Sequence, residues 1–146
     1  MKPGPLLGLL ALLTLLAGCS RPLAEEQIRQ TLQAMATALG EGNARAFMAP
    51  VAEDFAADTR QLDRRAARLL LFREMRAHQR IRVRLIDIEV DQATEDRASA
   101  RFHAVLTGGT GLIPDEGGWY QVNTGWRRDG SDWELINASW KRVAGR

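Results

Sequence analysis

Few side chains here could carry covalent or acid–base chemistry. The chain has one Cys (Cys19), two His (His78 and His103) and one Tyr (Tyr120). A nucleophilic or metal-bound thiol has only Cys19 to draw on, and no disulfide can form within the chain. His78 closes a helix-like stretch, where the helix dipole favours a cation. His103 follows Phe102 and shares its parity with Ser99 and Arg101. It is therefore expected to point away from helices packed on the Phe102 face. No His, Asp and Glu cluster has metal-ligand spacing. None of Ser20, Ser99, Ser131 and Ser139 stands in a motif that would make it a nucleophile. Gly108-Gly109-Thr110-Gly111 lacks the lysine and the strand-to-helix setting of a phosphate loop. No metal or cofactor is expected.

Cys19 has a different setting. Lys2 gives a positive start, and Leu6 to Ala17 is an apolar run broken only by Gly8 and Thr14. At about 12 residues it suits the core of an export signal, and it is shorter than the roughly 20 that span a bilayer. The run ends in Leu16-Ala17-Gly18-Cys19, which resembles the lipobox of bacterial lipoprotein precursors. The resemblance implies removal of residues 1–18, a diacylglycerol on the Cys19 sulfur and acylation of the new amino terminus. Ser20, where an Asp would favour inner-membrane retention, implies an outer-membrane anchor facing the periplasm. Residues 19–22 then form the lipidated Cys and a very short tether, and residues 23–146 a single domain.

Loss of residues 1–18 leaves about 128 residues, the size of one domain. Lys2 leaves with the signal, so 20 Lys and Arg become 19 against 18 Asp and Glu, a net charge of about +1. The basic isoelectric point of the whole chain therefore does not indicate nucleic-acid binding. With the only thiol taken, stability rests on an ordinary core, for which four Trp and four Phe are available.

Periodicity supplies the elements. Ile28, Leu32, Met35 and Leu39 recur at helical spacing and predict a helix from about Leu23 to Leu39, ended by Gly40 and Gly42. Asn43 can cap a short second helix carrying Phe47, Met48 and Val51. Asp63 can cap a third, running to about His78, with Ala67, Leu70, Leu71 and Met75 on its apolar side. Ile81, Val83 and Leu85 then alternate with arginines, while Ile86, Ile88 and Val90 alternate on the opposite parity. Both sets can face one core only if a residue is inserted near Leu85–Ile86, so a β-bulge or sharp bend is predicted there. A second strand runs from Arg97 to about Leu106. Gly108 to Gly118 reads as a loop. Trp119 to Arg128 and Trp133 to Val143 form a final hairpin around Asp129-Gly130. A two-residue turn there sets Trp126 beside Trp133. It puts Tyr120, Val122, Thr124 and Trp126 on one face with Trp133, Leu135, Asn137 and Ser139, and a four-residue turn keeps the same facing.

Three features together resemble the nuclear transport factor 2-like, or SnoaL-like, superfamily. They are the opening helix leading through a glycine turn to Ala52-Glu53-Asp54-Phe55, the third helix running into Arg80-Ile81-Arg82-Val83, and the closing hairpin from Gly125 to Leu135. The resemblance covers nearly all of the chain after the signal. It implies an α+β cone, in which N-terminal helices pack in the concave face of a strongly curved antiparallel sheet, cystatin-like in outline. Members include isomerases and dehydratases as well as binding domains, so fold does not decide function. An isomerase-like site would need a first-helix Tyr with paired acids. The first helix has none, which leaves Asp54, near the position of a family acid, and Tyr120 as weak catalytic candidates.

The leading expectation is a lipid-anchored, non-catalytic envelope domain that binds a protein partner or a small apolar ligand. Tyr120, Thr124, Trp126 and Asn137 are its expected pocket, with Thr124 and Asn137 orienting the ligand. The outer sheet face, with Trp119, Gln121, Ile136 and Trp140, would pair two copies as a homodimer. One alternative is a small-molecule isomerase or dehydratase using Asp54 with Tyr120 or a His. Another is an envelope secretion-system assembly factor, since one type IV secretion component has the resembling fold. The arginines between Arg60 and Arg84 are candidates for meeting lipid phosphates.

Overall fold

The computed structural model describes residues 23–57, 61–78, 80–108 and 116–144. The expected export signal, Cys19, the expected tether, Arg60 and most of the predicted glycine loop lie outside the described residues.

Helix α1 spans Ala24–Gly40 and buries Ala24, Ile28, Leu32, Met35 and Ala38, close to the predicted stripe. Its first turn holds Glu25 and Glu26, and Glu25 pairs with Arg29 at 2.9 Å one turn on. Past the end of the helix the chain turns at Gly42, whose φ of 69° is one that glycine adopts without a Cβ penalty. Asn43 then caps α2 (Ala44–Met48), its side chain accepting the Ala46 N–H. The second helix is shorter than expected. Val51 belongs instead to a strand, β1 (Val51–Ala57), which periodicity did not reveal. Asp63 caps α3 (Arg64–Ala77), accepting from the Ala66 N–H at 2.8 Å.

Four long strands follow: β2 (Ile81–Thr94), β3 (Arg97–Gly108), β4 (Glu116–Asp129) and β5 (Asp132–Ala144). β3 and β4 extend into the predicted loop: Gly108 pairs with Glu116, Thr107 with Gly117 and Leu106 with Gly118. The sheet order is β1-β5-β4-β3-β2, with β1 parallel to β5 and every other pair antiparallel. The helices fill the concave side. Ile28, Leu32, Met35, Phe55, Leu71, Phe102, Trp126, Trp133 and Leu135 join one core there. Ile28 and Trp126 are its largest fully buried side chains.

The predicted bend in β2 is present one to two residues later. Register with β3 shifts between Ile86 and Glu89, and Asp87 takes a left-handed φ of 55°. Val83 and Leu85 before the bulge, and Ile88 and Val90 after it, all pack on the core. Ile86 falls on the other face, opposite His103.

Candidate functional site

The expected pocket residues divide between the two faces of the sheet. Thr124 and Trp126 face inward and are buried. Trp126 Nε1 donates to Thr124 Oγ1 at 2.8 Å, and Thr124 Oγ1 donates to the Ala100 carbonyl at 3.1 Å. A buried polar group with its partners already in place stabilises the core. Thr124 is thus a core fastener, not the ligand-orienting group expected from its type. Trp133 is held similarly, its Nε1 donating to Gln27 Oε1 on α1 at 3.1 Å.

The hairpin register accounts for the remaining differences. Gly130 and Ser131 form the turn, so Asp129 pairs with Asp132 and Trp126 sits opposite Leu135, not Trp133. Gly130 takes the positive φ that such a tight turn needs. Pairing then slips between Trp126–Leu135 and Gly125–Asn137, leaving Ile136 as an extra residue in β5. A one-residue slip sends every later side chain to the other face. Asn137 therefore lies on the outer face over Gly125, where an added Cβ would meet its amide. It does not join Thr124. Trp140 pairs with Val122, which packs on the core, so Trp140 faces the concave side and is half exposed. Of the expected dimer face, Trp119 and Gln121 remain outward, Ile136 is the half-buried bulge residue, and Trp140 is on the opposite side.

Tyr120 faces inward, paired with Ala104 on β3 and Arg142 on β5. Its ring lies against Gly118, where an added Cβ would strike it. Gly118→Ala is accordingly expected to destabilise the domain by about 1–3 kcal/mol through overpacking. Combining it with Tyr120→Ala should return part of that loss in thermal melts, because the two residues contact each other.

Asp54 and His103 lie away from the concave face, whereas His78 lies at the end of α3 against the inward side of Gly108 on β3. Asp54 is on the outer surface, 62% exposed, and Arg127 donates to both its oxygens at 2.8 and 2.9 Å. The same guanidinium donates to Glu134 at 3.2 Å, so one arginine ties together β1, β4 and β5. Nothing in the sequence singled out Arg127, because its partners come from distant segments. Its hydrogen bond holds the Asp54 carboxyl below the ordinary 3.8, and the two acids raise the guanidinium in turn. A depressed acid contributes stability above its unfolded value and loses it as pH falls through the folded value. Asp54→Asn is therefore expected to cause a small loss at neutral pH that disappears below pH 3.8. Urea midpoints measured against pH would reveal it.

His103 stands on the outer face, edge-on to Trp119 at 6.0 Å between ring centroids, with the Asp87 carboxylate 3.6 Å away. His78 ends α3 beside Glu74. Among the described residues no group of His, Cys, Asp and Glu could hold a metal, and no helix is long and apolar enough to cross a membrane. A groove of about 650 Å³ runs between α1, α2 and the β4–β5 turn, lined partly by Gln30, Ala46, Asp129 and Asp132. None of the expected site residues line it.

No family model matches the chain, and no curated protein matches its sequence. Solved structures do match its fold. A candidate scytalone dehydratase from Novosphingobium aromaticivorans superposes with a TM-score of 0.72 at 15% identity, over 82% of this chain and 84% of that one. A nuclear transport factor 2-like protein of unknown function from Pseudomonas putida gives 0.68 at 22% identity, over 81% and 85%. The Bd1075 protein of Bdellovibrio bacteriovorus gives 0.69 at 10% identity; the match covers 80% of this chain and only 40% of that protein's length. At such identities the likeness establishes the fold, an α+β nuclear transport factor 2-like and cystatin-like architecture, and nothing of the chemistry.

Proposed function

We propose that this protein is a lipid-anchored domain of the bacterial cell envelope, held by Cys19, whose concave face binds a small apolar ligand or an apolar segment of a partner without catalysing a reaction on it. One observation carries the binding reading. Trp140 is 49% exposed on the concave side, beside Val122 and the half-buried Tyr120. The polar atoms deeper on that face, those of Thr124 and Trp126, are bonded to each other and to the backbone. Such a surface offers area to an apolar ligand and little to a polar one.

The dehydratase-like alternative, suggested by the names of some structural neighbours, has less support. It requires an acid or a His deep in the cone; Asp54 and His103 are on the outer face, and His78 stands at the end of α3, 39% exposed and 3.6 Å from Glu74.

Titration with the neutral apolar fluorophore N-phenyl-1-naphthylamine tests the proposal. Saturable enhancement is expected, with affinity reduced roughly tenfold or more by Trp140→Ala, as for loss of an aromatic anchor. Trp119→Ala, on the other face, should leave it unchanged. Equal effects from the two substitutions would remove the concave face from the reading.

A further inference from the structure

The exposed side of α3 has an unusual composition. The helix carries five arginines and one glutamate, and it buries only Leu71. Leu69 is 63% exposed and Phe72 44%. Arg65, Arg68 and Arg76 stand around them at spacings of three and four residues, which puts all five on neighbouring turns of one face. Arg68 lies 5.7 Å from the centre of the Phe72 ring. Among the described residues, neither Arg65, Arg68 nor Arg76 forms an ion pair; Arg73 has only its neighbour Glu74, at 3.5 Å. Placing large apolar side chains in water between unneutralised guanidinium groups gains nothing for the fold. Apolar residues between basic ones are what a helix lying in a membrane interface presents: side chains for the acyl boundary and cations for the phosphates.

We propose that the outer face of α3 is a second membrane contact, in which Leu69 and Phe72 enter the interface of a bilayer containing anionic phospholipid while Arg65, Arg68 and Arg76 meet its phosphates. The placement rests on the lipid-anchor reading. All three helices lie on the concave side of the sheet, and the chain enters the domain on that side at Leu23, itself 71% exposed. A tether of four residues reaches about 14 Å, so an anchored domain would meet the bilayer helices first. The convex face, with Gln121 and Asn123, would look away. A soluble acidic partner would satisfy the arginines but leave Leu69 and Phe72 without a role.

The test uses the mature lipoprotein in vesicles, with Leu69→Cys carrying an environment-sensitive fluorophore. Once Cys19 is acylated the new thiol is the only one, and Asn123→Cys provides a convex-face control. On vesicles containing phosphatidylglycerol the Leu69 label should shift to the blue and the Asn123 label should not. High salt should diminish the shift. Each arginine changed to Gln should weaken the contact about fivefold, and the Arg65, Arg68 and Arg76 triple change by roughly a hundredfold. A Leu69 signal that is the same with phosphatidylcholine and phosphatidylglycerol would overturn the proposal. So would a response to soluble heparin in the absence of any response to vesicles, which would assign the patch to a soluble polyanion. Failure of the anchor is visible separately: two thiols would label, and the protein would not float with phosphatidylcholine vesicles. The unacylated protein should even then show the phosphatidylglycerol-dependent shift.

Discussion

Replacing Trp126 with alanine is expected to destabilise the domain by about 3–5 kcal/mol, the usual range for removing a buried aromatic ring. Domains of this size have only about 5–15 kcal/mol in total, so the variant should be close to unfolding at physiological temperature. The side chain is 0% exposed at the middle of the concave sheet, so its removal leaves a cavity that the surrounding strands cannot readily fill. A more discriminating experiment separates packing from hydrogen bonding. Thr124→Val keeps the shape but leaves the buried Trp126 Nε1–H without its acceptor, which should cost about 1–3 kcal/mol. Trp126→Phe removes that donor along with part of the ring. The double variant should lose less than the sum of the singles, because each single strands a partner that the double has removed. Urea unfolding of the four proteins gives the comparison. Strict additivity would mean that the hydrogen bond contributes nothing beyond shape.

The second large effect concerns location. With Cys19 present, the protein should incorporate labelled palmitate and float with membranes; Cys19→Ala should incorporate none, and the domain should leave the membrane fraction. The change is expected to be nearly complete. One acyl chain gives only marginal binding, whereas the two or three expected on Cys19 hold a protein stably. Loss of the sulfur removes the diacylglycerol and with it the signal for amino-terminal acylation. A wild-type chain that takes up no palmitate would overturn the anchor, as would a Cys19→Ala protein that stays on the membrane without modification. Neither result would bear on the fold.

Much of the architecture was legible because local patterns and the global fold agree. The stripe of Ile28, Leu32 and Met35, the caps Asn43 and Asp63, and the reversal of parity in β2 each state a local physical requirement that the structure meets. β1 was not legible: Ala52-Glu53-Asp54-Phe55 does not alternate, and its pairing with β5 is irregular between Val51 and Ala56. The candidate site was read less well, and for one identifiable reason. In β2 the extra residue shows in the sequence, since apolar side chains stand on both sides of it. In β5 the residues after Ile136 are Asn137, Ala138, Ser139 and Trp140, too mixed to betray a change of face. A single unseen bulge exchanged Asn137 for Trp140 on the concave surface. Arg127 escaped notice because an ion pair between distant segments leaves no periodic trace.

The bulge at Asp87 also bears on how neighbouring copies meet. β2 is the last strand of the sheet, fourteen residues long, with one side unpaired. An open edge of that length is a template for another chain's strand, and sheets joined in this way grow into aggregates. Here the left-handed turn at Asp87 interrupts the flat run near its middle, while Arg82 and Arg84 put exposed positive charge along its first half. A strand laid along this edge would meet the bulge, where the row of free N–H and C=O groups loses its register. The residue that curves the sheet around its helices therefore also keeps the sheet finite.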